Sequence, residues 1–439
     1  MTPRATLRMA VVAFSALAGL SVPAAGVSSA HASNARARPA VGASSATGRA
    51  VPSPPTTLAC QRTYHLRCYS PAQLRTAYGL DPQGTRGLTG RGTTIAVVDS
   101  FGSPTISADL HVFDRIVGLP DPPAISTISP AGRPPTFDPG DADMDGWALE
   151  TTLDVEYAHV IAPQARILVV ATPVSETAGV QGFPEIVRAE NYVVDHGLAD
   201  VISQSFGTPE NSFPSRTALL GLRSAFVNAA QHGVTVLAAA GDSGAGDKAE
   251  AANWPSTDPL VTSVGGTQLR LDASGHRLTA DSVWNDGFGA GGGGRSTIFA
   301  RPPYQNGVRA VVGDRRGTPD VSMSAAVDGG VMVYSSFDAA NAGWQLVGGT
   351  SEATPLFAGV VAMAAQAAHH RLGPIGPALY DLAVSGHGMV DVRTGDNSRA
   401  GVVGYSARPG YDLASGLGTV DAARFAPWLA RAVTVRPST

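Results

Sequence analysis

The chain has 439 residues, 51 of them glycine, and a formal charge of −4, which allows one large domain or two to three ordinary ones and a sizeable core. Near-neutral charge without a basic block provides no electrostatic footprint for nucleic acid or an anionic membrane. Two cysteines are too few for a stapled scaffold, and glycine in excess but without a period implies many tight turns rather than collagen.

Arg4 and Arg8 precede an apolar run from Met9 to Leu20 and small residues ending Ala30-His31-Ala32. This is the pattern of a signal peptide over 1–32, and it predicts a secreted, extracellular protein. No later stretch holds the roughly 18 uncharged apolar residues that a membrane span needs. Residues 33–59, rich in Ala, Ser, Arg and Pro, read as a disordered linker or short pro-segment, with the folded domain expected over 60–435. In an exported chain Cys60 and Cys68 are expected to form a small-loop disulfide rather than a metal site. Strands are predicted at 94–98, 167–171, 201–205, 234–239 and 260–264, and helices at 107–117, 147–161, 184–196 and 216–232. Such alternation predicts an α/β fold with a largely parallel sheet flanked by helices on both faces.

Chemistry in such sheets gathers beyond the carboxyl ends of the strands. Gly348-Gly349-Thr350-Ser351-Glu352-Ala353-Thr354-Pro355 opens an Ala-rich apolar helix, so Ser351 sits where free N–H groups stabilise an oxyanion. Taken alone, a serine there is more often only an N-cap. Glu150 and Asp154 are four residues apart on a mostly apolar helix, which places both carboxylates on one face. Asp242 lies in the Gly-rich turn AAAGDSG after a strand. Asp99, the first of the three places that carry chemistry, ends the first strand and is best read as a residue that hydrogen-bonds the loop, with any role in the site left open. His159, nine positions beyond Glu150, falls on the opposite face of that helix, and no other histidine sits in a triad-like motif.

These motifs, with Tyr69-Ser70-Pro71-Ala72-Gln73-Leu74-Arg75, the Gly291–Gly294 run and Arg316-Gly317-Thr318-Pro319-Asp320-Val321, resemble the sedolisin family, the serine-carboxyl peptidases of subtilisin-like fold. The resemblance implies a monomeric peptidase for protein or peptide substrates, with Ser351 as nucleophile, Glu150 as general base and Asp154 as its orienting partner. Asp242 would be a protonated oxyanion donor, in place of the amide found in subtilisin relatives. Two close carboxylates share a proton, so acid activity is expected. Ser205, Phe206 and Gly207, with the Gly291–Gly294 loop, resemble the walls of the family's cleft. Asp391, Val392, Arg408, Gly410 and Asp412 resemble its calcium loop: two carboxylates, and carbonyls from the other three, for one structural Ca2+. Glu352 departs from the pattern and puts negative charge near a developing oxyanion. The alternatives are a neutral subtilisin-like protease and a catalytically silent binding protein on the same fold.

Overall fold

The apolar runs that read as strands form a sheet covered on both faces. The computed structural model describes residues 50–80, 87–176, 181–245 and 252–434. Its central sheet comprises β1 (Thr94–Ser100), β2 (Ile125–Ile128), β3 (Arg166–Thr172), β4 (Val201–Gln204), β5 (Thr235–Ala239), β6 (Thr262–Gln268), β7 (Ser282–Val283) and β8 (Val321–Ser324). The order is β7-β6-β5-β4-β1-β3-β2, with β8 also paired to β6. All of these pairs are parallel except β7 with β6. Along β1, Ile95 and Val97 enter one core while Ala96 and Val98 enter another, as the two-residue period of a strand requires.

The helices that close these cores are α1 (Ile106–Val117), α2 (Ala142–Ile161), α3 (Phe183–Asp195), α4 (Ser224–Gln231), α5 (Thr350–Ala368) and α6 (Ala422–Thr434). The first core takes Phe113 of α1, Tyr157 of α2, Phe357 of α5 and Phe425 of α6, and the second takes Phe183 of α3 and Phe226 of α4. Helix α2 starts earlier than its apolar pattern suggests because Asp141 caps it, accepting from the backbone N–H of Asp143 and Met144. Sixteen of its twenty residues are buried, so it is a core helix rather than an amphipathic one. The helix expected over 216–232 is broken into Arg216–Leu220 and α4. Gly221 favours the break, and Arg223 turns to pair with Asp258 at 2.9 Å.

Helices α2 and α5 cross tightly. A Cβ placed on Gly359 would lie 2.5 Å from Cβ of Ile161, so only glycine allows this approach. An antiparallel hairpin, Gly330–Ser335 with Gly343–Val347, leads straight into Ser351 and was not legible as strands.

The signal peptide expected over 1–32 lies outside the described residues, as do residues 33–49 of the expected linker. The remainder, 50–59, is docked rather than disordered. Ala50 N–H donates to Asn341 Oδ1 at 2.9 Å, Val51 exchanges backbone hydrogen bonds of 3.0 and 2.8 Å with Trp344, and a helix starts at Thr57. Strand pairing and a Thr56 cap outweigh the polar composition there. Cys60 and Cys68 are joined in a disulfide.

Candidate active site

Ser351 lies in the first turn of α5, 2% exposed. Pro355 lacks the N–H that would bond the Ser351 carbonyl, which instead meets the Ser205 hydroxyl at 3.4 Å. The Ser351 hydroxyl in turn donates to the Ser205 carbonyl at 3.4 Å. Glu150 and Asp154 project from α2, both buried. Asp154 Oδ1 accepts from the Ser205 hydroxyl at 2.8 Å, while its Oδ2 and both Glu150 oxygens are buried without a well-formed hydrogen bond.

Asp99 joins them from the end of β1. Its carboxyl is fully buried and makes no hydrogen bond to the loop, contrary to the expectation from sequence. Burial pushes it up to about 7, opposed by the Thr151 hydroxyl beside it. Burial also raises Glu150 well above the usual carboxylate range; charge on Asp99 adds to the rise, and the Ser351 hydroxyl opposes it. Asp154 is raised well above its usual value by burial, then by Asp99 and Glu150, against the Ser205 hydroxyl. The three carboxyls thus form one buried cluster in which each disfavours the ionisation of its neighbours.

Asp242 faces the site from the turn after β5. Its Oδ1 accepts from Thr350 N–H at 2.8 Å and from Thr350 Oγ1–H at 2.7 Å. Gly241 N–H donates to Thr350 Oγ1 at 3.1 Å, stitching this turn to the start of α5. A positive φ of 110° and a Cβ position 2.2 Å from Asn253 Nδ2 restrict residue 241 to glycine. The Gly291–Gly294 loop packs on the same turn, with Gly292 N–H donating to Gly241 O at 2.6 Å.

His159 takes no part. It is buried on the far side of α2, where Nε2 lies 2.9 Å from the Pro120 carbonyl and 3.3 Å from Asp114. Glu352 also departs from expectation: its side chain is buried away from the oxyanion position, beside the Ser324 hydroxyl and within electrostatic reach of Tyr78 and Tyr157. Burial holds it well above the usual carboxylate range. Of the three expected cleft residues, Ser205 is at the site, but the Phe206 ring is a core group packed 6.2 Å from both Trp147 and Phe183. Its backbone is the part left to the strand-like peptide pairing expected of this stretch. Gly207 is buried, and a Cβ there would meet Asn253 Cβ at 3.2 Å. Asp99 and Ser205 are both marked by sequence, Asp99 at a strand end with its role open and Ser205 as a cleft residue, but their meeting with Asp154 is not; Thr350, inside the octapeptide, is not singled out.

The loops near the C-terminus converge. Gly410 N–H donates to Asp391 Oδ2 at 3.1 Å and Arg408 N–H to Asp412 Oδ2 at 2.9 Å. Arg393 also holds Asp391 Oδ2, at 2.7 Å, whereas Asp391 Oδ1 is buried without a partner. Asp412 Oδ1 caps the turn through Ala414 and Ser415 N–H. Val392 is buried against Val283 and Ala414. Among the described residues no group of three or more His, Cys, Asp or Glu side chains could hold a metal.

Fold and site together define a subtilisin-like α/β protein with a serine at a helix head and carboxyls, not histidine, around it. The Subtilase family model (peptidase S8) matches residues 145–376. Kumamolisin from Bacillus sp. (strain MN-32) is 34% identical over 369 residues, covering 80% of this chain and 62% of its own length. Sedolisin from Pseudomonas sp. (strain 101) is 28% identical over 357 residues, covering 78% and 58%. The chain therefore spans about three-fifths of the length of these relatives. A solved structure of Pseudomonas sedolisin, a serine-carboxyl proteinase complexed with two molecules of pseudo-iodotyrostatin, superposes with a TM-score of 0.71 at 28% identity over 83% of this chain and 98% of that one. The chain belongs to the subtilase family, in its sedolisin branch.

Proposed function

We propose that the chain is a secreted serine-carboxyl endopeptidase that hydrolyses peptide bonds in acid. The observation that carries this reading is the buried Asp99–Glu150–Asp154 cluster beside Ser351, with the neighbouring histidine turned to Asp114. The first carboxyl of the cluster to ionise meets no neighbouring charge, and each later one does, so the site holds a base together with bound protons. Ser351 Oγ attacks the scissile carbonyl as its proton passes to Glu150, which Asp154 orients. The tetrahedral oxyanion accepts a hydrogen bond from the neutral Asp242 carboxyl. Glu150 then returns the proton to the departing amine, and water, activated by the same carboxylate, hydrolyses the acyl-enzyme.

A pH–rate profile on a peptide library tests this. Activity is expected to peak in acid, and Ser351→Ala to lower kcat by about 10⁴-fold or more. Asp242→Asn, whose amide donates at any ordinary pH, is expected to extend activity toward neutral pH. A maximum near pH 8 that survives Glu150→Gln would overturn the reading.

Calcium belongs to the same proposal. Asp391 and Asp412, with the carbonyls of Val392, Arg408 and Gly410, offer the hard oxygens such an ion takes. The buried, unpartnered Asp391 Oδ1 fits a cation at that place. Bound there, the ion would tie the 391–393 and 408–412 loops together. Chelation is expected to lower the melting temperature, and an unchanged melting curve would remove the metal. Secretion rests on the signal-like segment 1–32, and no described helix is long and apolar enough to cross a membrane.

A further inference from the structure

Building on the peptidase reading, we propose that Ser205 is a positioning residue: its hydroxyl holds the Asp154 carboxyl while its main chain holds the nucleophile, so that the ionisation of one is passed to the pose of the other.

Ser205 is 1% exposed and follows directly on β4, the strand next to β1 in the sheet. Its hydroxyl has one hydrogen and two acceptors in reach, Asp154 Oδ1 at 2.8 Å and the Ser351 carbonyl at 3.4 Å. The second is available because Pro355 deprives that carbonyl of its helical donor. When Asp154 is charged, the shorter, charge-assisted bond takes the hydrogen. When Asp154 is neutral its oxygen is a weaker acceptor, and the Ser351 carbonyl competes for the same hydrogen. The Ser205 carbonyl meanwhile accepts from Ser351 Oγ at 3.4 Å, so this residue touches the nucleophile from two sides.

Among the described residues no cation does this work instead. The charged groups acting on Asp154 are Asp99 of β1 and Glu150 of its own helix, both raising its pKa, against which the Ser205 hydroxyl acts. Other elements packed on α2 present groups engaged elsewhere. Arg75, from the helix Pro71–Ala77, binds the Val160 and Leu80 carbonyls. In α1, Asp109 binds Thr105 and Ser336, Asp114 meets His159, His111 pairs with Asp121, and Arg115 is exposed. Arg166 is exposed at the start of β3, Tyr334 of the hairpin gives its N–H to Glu156, and Glu352 of α5 lies beside Ser324. Ser205 is thus the donor that favours ionised Asp154.

The test compares Ser205→Ala and Ser205→Thr with the parent chain. Ser205→Ala is expected to lower kcat about tenfold with KM within about twofold. It should also move the acid limb of kcat/KM up by about one pH unit, the scale of one hydrogen bond to a charged group. Ser205→Thr, which keeps the hydroxyl, should recover most of both. Carbon-13 NMR titration of the Asp154 carboxyl should show the same upward shift in Ser205→Ala without reference to turnover. If Ser205→Ala fails to fold, Ser205→Cys, a weak donor of similar size, takes its place in both measurements. A folded variant with parental pH profile and parental Asp154 titration overturns the assignment. If the parent chain cleaves no peptide at any pH, the peptidase reading falls, and the NMR titration alone still decides the role of Ser205.

Discussion

Asp99, Glu150 and Asp154 occupy one buried cluster, and none of them can ionise without regard to the others. Asp99 opposes the charge on both helix residues, so Asp99→Asn should let them ionise more easily and move the acid limb of kcat/KM to lower pH, by about one unit. A limb that stays in place would separate Asp99 from the working site. Part of this arrangement was legible in sequence: a spacing of four on a buried helix puts Glu150 and Asp154 together. Asp99 and Ser205 come from the ends of two different strands, and nothing local to either says that β1 and β4 lie side by side with α2 above them. The expectation that Asp99 bonds the loop failed because it used only the residue's place at a strand end.

Helix α5 is the buried helix headed by Ser351 that its apolar run implies, whereas the effect of Glu352 is not given by its place in the first turn alone. A carboxylate in a first turn favours the helix dipole only where it stays charged and solvated, and here burial keeps the proton on. Its folded pKa lies above the ordinary carboxylate value, so the stabilisation is complete below that value and is lost as pH rises toward the folded one. Glu352→Gln should therefore leave the melting temperature unchanged near pH 4 and raise it at neutral pH by about 2–4 °C. Because this side chain points away from the oxyanion position, kcat in acid should stay within about threefold of the parent. A large loss of kcat with unchanged stability would return Glu352 to the catalytic site. The broken helix at Gly221 and the hairpin before Ser351 escaped the sequence for a similar reason: Asp258 anchors the first break and pairing between distant strands makes the second.

Across the whole molecule, buried carboxyls without cationic partners recur. Glu190 on α3 has both oxygens buried without a hydrogen bond, and burial pushes it up to about 8. Glu156 is raised well above its usual range by burial, with only the Tyr334 N–H opposing. Each binds a proton in the folded chain at pH values where the unfolded chain has released it, so stability falls as pH rises between the ordinary carboxylate value and the folded one. For Glu190 that window runs from its usual 4.5 up to about 8. Glu190→Gln should raise the melting temperature by about 2–4 °C at pH 8 and leave it unchanged at pH 4, with the peptidase profile in acid unmoved. The alternation of strands and helices made the sheet readable, yet this acid-favouring interior was not, since a glutamate within a helical pattern carries no sign of its depth.

The docking of Val51 against Trp344 gives the N-terminal segment a further consequence. Strand Gly343–Val347 is the last of its three-stranded sheet, and on its outer side Val51 supplies both backbone bonds to Trp344. A Cβ on Gly343 would lie 2.6 Å from the Val51 carbonyl, so the fit is close. Removal of residues before Thr56 would leave the disulfide in place but open the edge at Trp344, in the strand that ends four residues before Ser351. An open edge is a template for any extended chain, so proteolytic trimming there would convert the covered flank of the hairpin that leads into Ser351 into a landing strip for polypeptide.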